Sequence, residues 1–366
     1  MYIILTAFLL TLVCGLLSFF YNRNWSKKLS VTLRVPSDGI FEGETGEVAE
    51  IISNGKLTPL FWGSIQFRVP GALHFGSSDS GQDYYREDRI SVLPYEEVTK
   101  KLPFTAAHRG CYRLDDLQLT AGSLSFRYKM MKSFSASPEI YVYPRVKTTK
   151  RFKIDYRRII GDAVARRSFL EDPFFFCGIR DYSPFDSMKK VNWKATARTG
   201  SLKVNQYHTT QSQRVMLLLD LDGYNKLDGR QIKEDVISTA AFLARKFALG
   251  GTAVGFTTNA ADVFSGEHIE TECKSGRSHF FLMMRQMAKI DTEKLLEPFG
   301  GILENLPRNA ASATQYILIS YRYSDGLVRQ VEALRPNIQW IFLHDKSRRI
   351  NFVRCPGMYV CEEVRE

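Results

Sequence analysis

Hydrophobic and polar residues are arranged in three ways along this chain, and each arrangement predicts a different kind of structure. Tyr2 to Tyr21, YIILTAFLLTLVCGLLSFFY, carries no charge over about twenty residues, the length of helix that crosses the ~30 Å hydrocarbon core of a bilayer. From about Ser30 to Pro144, apolar and polar residues alternate in short bursts: VTLRV, GEVAEII, GSIQFRV, RISVL, KKLPFTA, CYRLDDLQL and EIYVY. Gly, Pro, Asn and Asp fill the gaps. Period-two runs separated by turn signals predict the antiparallel strands of an all-β sandwich. After Gln213 the pattern changes again. RVMLLLDLD (214–222) reads as a buried strand ending in acids. In GRQIKEDVISTAAFLARKFAL (229–249), Ile232, Val236, Ala240, Leu243 and Phe247 recur near a 3.6 period, as in a helix. GTAVGFTT, SHFFLMMRQMAKI, TQYILISYR, GLVRQVEAL, IQWIFLHD and MYVCEEV continue the alternation. Strands alternating with helices predict an α/β domain, a mainly parallel sheet covered on both faces.

The N-terminal run has no basic n-region and no A-x-A site, and Leu12-Val13 does not place a small residue before Cys14. It therefore reads as a transmembrane helix rather than a cleaved signal or a lipoprotein leader. Arg23, Lys27, Lys28 and Arg34 follow it, and no Lys or Arg precedes it. The positive-inside rule then makes this a single-pass protein of the cell membrane with the bulk of the chain in the cytoplasm. Tyr21 and Trp25 fall at the expected interface. The domain reading is an anchor over 1–22 (residues 2–21 in the membrane), a sandwich over 30–144, a connector over 145–213 and an α/β domain over 214–366.

Charge changes this picture in one place. The chain carries a net +11, and between Arg145 and Asn205 there are fifteen Lys/Arg against six Asp/Glu. Such a segment attracts phosphates, anionic lipid or an acidic protein. Phe152, Tyr156, Tyr182, Trp193 and Tyr207 are interleaved with the bases, as in proteins that stack single-stranded nucleic acid. Yet Asp181 and Asp186 sit among Arg180, Lys194 and Arg198, which suits internal ion pairs better than a phosphate track. Nucleic acid is not expected. Anionic lipid remains a partner for a basic segment already held at a membrane.

The six cysteines (14, 111, 177, 273, 355, 361) are scattered, without C-x-x-C and without a nearby histidine at zinc spacing, which suits buried thiols in a reducing compartment. His74 and His108 are isolated. No P-loop, dinucleotide fingerprint, H-E-x-x-H or G-x-S-x-G occurs, so the chain does not read as an enzyme. A thiol enzyme built on Cys177 and His208, which bracket the basic motif, is the weakest alternative. The first α/β strand ends in Asp220-Leu221-Asp222-Gly223-Tyr224. Two acids one residue apart at a strand tip could hold a hard divalent cation such as Mg2+. The place is similar to the D-x-S-x-S of von Willebrand factor A-type folds, with Asp222 and Tyr224 at the serine positions and Ser320 in a neighbouring loop. That reading makes the chain a metal-dependent, adhesion-type binder; otherwise no cofactor is expected.

The connector carries GIRDYSPFDSMKKVNWKATARTGSLKV, from Gly178. Arg180 and Asp186 are spaced to pair across the Ser183-Pro184 turn, and Trp193 offers a large apolar body that would lock the segment against the sheet. Lys194 and Arg198 would meet nearby carbonyls or acids, leaving a basic outer face for docking. In this reading the motif is a structural clasp. The same run resembles the signature of the DUF58 family, G-x-R-x-Y-x-x-G-D-x-x-R-x-I-x-W-x-x-[ST]-A-R followed by a von Willebrand factor A-like domain. Gly178, Arg180, Tyr182, Asp186, Trp193, Ala197 and Arg198 match it. Phe185 replaces the family's glycine, and Lys189 or Lys190 stands near its arginine. RGCYRLDDLQL, IYVYPR and FEGETGEV resemble the family's upstream segments. The resemblance implies a membrane-anchored scaffold or adaptor that works with a MoxR-type AAA+ ATPase in the assembly or maturation of other proteins; it supplies no reaction.

Overall fold

The computed structural model describes residues 2–35, 38–76, 82–123, 129–135, 138–146, 155–165, 176–184, 186–207, 214–223, 229–306, 314–334, 337–344 and 354–362, without the side chains of 2, 3, 162–165, 177 and 207. The chain forms two compact units, Met1–Arg145 and Val146–Glu366.

The first unit opens with helix α1 (Tyr2–Asn24), long and apolar enough to cross a membrane. Eleven strands follow among the described residues: β1 (Leu29–Arg34), β2 (Ile40–Phe41), β3 (Thr45–Asn54), β4 (Leu60–Val69), β5 (Leu73–His74), β6 (Tyr84–Val92), β7 (Glu97–Ala106), β8 (Gly110–Arg113), β9 (Asp115–Gly122), β10 (Lys129–Ser133) and β11 (Glu139–Tyr143). Two antiparallel four-stranded sheets, β1-β3-β7-β5 and β10-β9-β4-β6, share one core, and a small sheet β2-β11-β8 stands beside them. The period-two pattern is what closes this sandwich. In β1, Leu29, Val31 and Leu33 are buried while Ser30, Thr32 and Arg34 face out. Ile52, Ile65, Phe67, Leu102, Phe104, Leu117 and Leu119 supply inward rows from four other strands. The core also takes Tyr21 and Trp25, so the last turn of α1 and the residue after it are seated on the sandwich.

In the second unit, α2 (Tyr156–Ala165), β12 (Phe176–Asp181), α3 (Trp193–Thr199) and β13 (Lys203–Tyr207) precede an α/β sheet. Its elements are β14 (Arg214–Leu219), α4 (Gly229–Leu249), β15 (Ala253–Asp262), β16 (His268–Lys274), α5 (Arg277–Ala288), β17 (Ile290–Leu295), α6 (Phe299–Asn305), β18 (Thr314–Ser320), α7 (Asp325–Ala333), β19 (Ile338–His344) and β20 (Met358–Glu362). The sheet runs β16-β15-β14-β18-β19-β20, with β17 also paired to β15. The five strands from β15 to β20 along this order are parallel; β16 and β17 are antiparallel. The even positions of β18 and β19 (Tyr316, Leu318, Ile338, Trp340, Phe342) pack with α6 and α7. Ile317, Ile319 and Ile341 are equally buried on the other face, and α4 lies along β14, β15 and β18. Ile232, Val236, Ala240, Leu243 and Phe247 form the buried stripe of α4.

Two sequence expectations change. CYRLDDLQL is not one strand: the chain passes from one sheet to another at Leu114, so β8 pairs with β11 while β9 pairs with β4. HIETECK and IDTEKL, which show weak apolar runs, form the antiparallel strands beside β15.

Candidate interaction surface and strand-tip charge cluster

The motif folds as an antiparallel pair, β12 with β13, whose connection carries a 3-10 turn (Met188–Lys190) and α3. Gly178 pairs with Gln206 and Arg180 with Val204. Arg180 lays both terminal nitrogens on Asp186, Nη2 to Oδ1 and Nη1 to Oδ2, each at 2.6 Å. The Ser183 amide donates to the same carboxylate at 2.9 Å, and the Asp186 amide closes the turn on Ser183 O at 2.8 Å. This planar fork is the strong form of an arginine–carboxylate pair. The Arg180 guanidinium, then the Ser183 N–H, hold the Asp186 carboxyl down to about 2. Tyr182 joins the turn to the returning strand through its amide, which donates to Leu202 O at 3.0 Å.

Asn192 starts α3. Its side-chain oxygen accepts from the Ala195 amide at 3.0 Å, and its amide nitrogen donates to Asn205 Oδ1 at 2.7 Å. Gly200, with φ of 72°, ends the helix in the left-handed conformation that glycine adopts without strain. The cap fixes which face looks outward. Ala195 and Thr196 turn toward the hairpin, Thr196 Oγ1 accepting from the Lys203 amide at 3.0 Å. Trp193, Lys194, Ala197 and Arg198, at i, i+1, i+4 and i+5, are all exposed.

This corrects the expectation that Trp193 locks the segment against the sheet: it is 64% exposed. Neither Lys194 nor Arg198 makes an ion pair among the described residues. The hairpin's own core is Val191 against Val204. Phe176, Ile179, Met188 and Leu202 are exposed in the same element. Arg180 is itself 44% exposed, so Asp186 organises a surface turn and does not neutralise a buried charge. Phe185, His208 and the Cys177 side chain lie outside the described residues, so the thiol alternative has no geometry here.

The second group of residues meets at the tips of β14 and β18. These neighbours are parallel, with Leu219 opposite Ile319, so Asp220 and Ser320 emerge side by side. The winding reverses here, since β15 lies to one side of β14 and β18 to the other; such switch points are where open α/β sheets bind ligands. Asp220 is fully buried, and Asp222 is partly buried with 16% of its side chain exposed. Asp222 accepts from Asn259 Nδ2 at 2.6 Å, from the Phe299 amide at 3.0 Å and from Arg322 Nη2 at 2.9 Å. Arg322 Nε lies 3.6 Å from Asp220 Oδ2, so one guanidinium spans both carboxylates. Burial pushes the Asp220 carboxyl up to about 7, against the pull of Arg322. The Ser320 hydroxyl accepts from Trp340 Nε1 at 2.8 Å and donates to Arg322 O at 3.2 Å.

Sequence reasoning brought Asp220, Asp222 and Ser320 to one place and missed Arg322 and Asn259. The available signal was the S-x-R after ILI (Ser320 to Arg322), which answers the D-x-D after LLL. With Arg322 across both acids and the Ser320 hydroxyl engaged on both sides, these residues do not fit a hard divalent cation. Among the described residues, no group of three or more His, Cys, Asp or Glu is arranged to hold a metal. Tyr224 lies outside the described residues.

Residues 178–347 match the model of a family described as a protein of unknown function, DUF58. The matched region begins at the first motif residue and includes the strand-tip cluster. No curated protein matches the chain. Among solved structures, the chain is similar to the CARDB domain of a Pyrococcus furiosus protein in complex with di-metal ions, at 17% identity over 31% of this chain and 91% of that one, with a TM-score of 0.21. It is also similar to a cohesin module of a Clostridium perfringens family 33 glycoside hydrolase, at 12% identity over 31% of this chain and 96% of that one, with a TM-score of 0.23. At these TM-scores neither likeness carries an argument.

Proposed function

We propose that this chain is a membrane-anchored adaptor that presents the outer face of α3 and its hairpin to an acidic protein surface. One observation carries this reading: Trp193, Lys194, Ala197 and Arg198 point outward from a turn that the Arg180–Asp186 fork and the Asn192 cap hold in place. An aromatic residue beside exposed bases on a pre-ordered element is the composition of an interface centre, where Trp and Arg dominate binding. Rigid presentation lowers the ordering cost of association. The DUF58 resemblance supports a MoxR-type AAA+ ATPase as the partner class, and the charge bias after α1 favours a cytoplasmic face.

The α/β sheet is read as von Willebrand factor A-like, with Arg322 supplying the positive charge that a cation supplies at such strand tips. The adaptor therefore works without a divalent metal. The test is affinity purification of the tagged full-length protein from its own host's membranes, with and without ATP, beside W193A/K194E/R198E. An AAA+ ATPase is expected with the wild type and lost with the variant. Equal recovery from both, or recovery from neither, overturns the assignment of this face.

A further inference from the structure

The sandwich end next to α1 exposes a second group of large apolar side chains. Leu57 is 74% exposed and Tyr95 71%, and Phe61, Trp62 and Leu93 are exposed beside them. Elsewhere in the described part of residues 29–145, only Tyr85 and Met131 are large, apolar and similarly exposed. The group has a structural origin. The ladder between β4 and β6 shifts register between Leu60 and Gly63. The bulge breaks the in–out alternation, so two consecutive aromatics, Phe61 and Trp62, face out together with ring centroids 6.0 Å apart.

These loops are tied to the end of α1. Gly55 N donates to Lys28 O at 2.8 Å, Lys56 Nζ donates to Trp25 O, and Lys132 Nζ donates to Ser26 O at 2.9 Å. Two lysines thus meet carbonyls just past the helix C-terminus, where the helix dipole favours positive charge. The Tyr95 amide donates to Lys56 O at 3.3 Å, and Asn54 Nδ2 reaches both Thr58 O and Leu93 O. The Glu96 carboxylate is engaged within this loop, its Oε2 accepting from the Leu93 amide at 2.6 Å. Tyr21 and Trp25 are packed in the sandwich core, so no flexible linker separates helix from loops.

We propose that Leu57, Phe61, Trp62, Leu93 and Tyr95 enter the interface of the bilayer that α1 crosses, giving the sandwich a second membrane contact. Continuity fixes the occupant: a helix that ends in the membrane interface and is bound directly to these loops places them at headgroup depth. The side chains suit that depth, because Trp and Tyr concentrate at membrane–water boundaries. Lys27 and Lys28 follow the helix beside the group, where headgroup phosphates lie. A two-point contact turns the anchor from a swivel into a fixed mount.

This proposal rests on α1 being a membrane anchor, and the experiment separates the two. Full-length wild type and W62F are reconstituted in phosphatidylcholine vesicles brominated either near the headgroup end or near the tip of the acyl chain. Flotation first reports whether the chain stays with the vesicles. Shallow-brominated lipid is expected to quench a component of the tryptophan emission that W62F lacks, and deep-brominated lipid to quench it less. L57D/Y95D, which changes only exposed side chains and keeps Trp62, is expected to float and to lose most of that component. If wild type and W62F float and are quenched equally by the shallow lipid, the loops do not enter the bilayer and the proposal falls. If the chain does not float, the anchor itself is wrong and the proposal falls with it.

Discussion

Single side chains decide how the strand tips and the sandwich core respond to ions and pH. Arg322 is 25% exposed and bridges Asp220 and Asp222, so Arg322→Ala removes the guanidinium that spans the two acids. Breaking a buried pair in this way costs roughly 3–5 kcal/mol. A thermal melt should show that loss, and Mg2+ should leave the wild-type Tm unchanged. A rise in wild-type Tm with Mg2+ would sink the view that the guanidinium fills the cation's place. Glu50 poses the opposite case in the sandwich. It is fully buried on the inward row of β3, and burial with the nearby Asp88 raises its carboxyl to about 7. A raised carboxyl means that the folded state keeps a proton the unfolded state has lost. Stability therefore falls as pH climbs from about 4.5 to about 7, by up to about 3 kcal/mol from this group. Chemical denaturation across that window should show the decline, and Glu50→Gln should remove the share that Glu50 contributes, leaving the share from Asp220, which burial raises in the same way. Asp220, Asp222 and Ser320 were legible as a site because each ends a strongly apolar strand. Arg322 was not, because its partners lie about a hundred residues away and only the sheet register brings them together.

At the scale of elements, legibility followed the strength of the periodic pattern. The buried stripe of α4 was readable residue by residue, since a helix facing the sheet on one side and solvent on the other writes its period into the sequence. β16 and β17 escaped because strands beside the sheet's margin carry polar residues on the face that a helix does not cover. The motif hairpin was read correctly in its Arg180–Asp186 pair, a short-range contact across one turn. It was read incorrectly in Trp193, because hydrophobicity does not say which face of a seven-residue helix looks outward; the Asn192 cap does. Two consequences separate fixing from binding in this element. Asn192→Ala removes a cap of about 1 kcal/mol together with the Asn205 bond, so amide exchange across α3 should quicken. Asp186→Asn should loosen residues 182–192 by the same readout and leave the melting of the α/β sheet in place, because Arg180 remains solvated. If Asp186→Asn lowers the Tm of the whole unit, the turn carries more than a local role.

At the scale of the molecule, the two compact units divide the work proposed above. Residues 1–145 hold the apolar helix, the exposed loops bound to its end, and a sandwich core drawn from Tyr21 to Val142. Residues 146–366 hold the hairpin, the strand-tip cluster and a separate core running from Leu218 to Phe342. A unit with its own core can fold by itself. Residues 146–366 produced without the first unit should therefore remain soluble, melt cooperatively and retain whatever partner the Trp193 face binds, while losing all association with vesicles. Residues 1–145 should do the reverse, floating with vesicles and capturing no partner. Circular dichroism melts, flotation and pull-down on the two halves read all of these outcomes. Partner capture by residues 1–145, or its loss from a folded 146–366, would move the binding surface off the motif hairpin and return the motif to the role of a clasp.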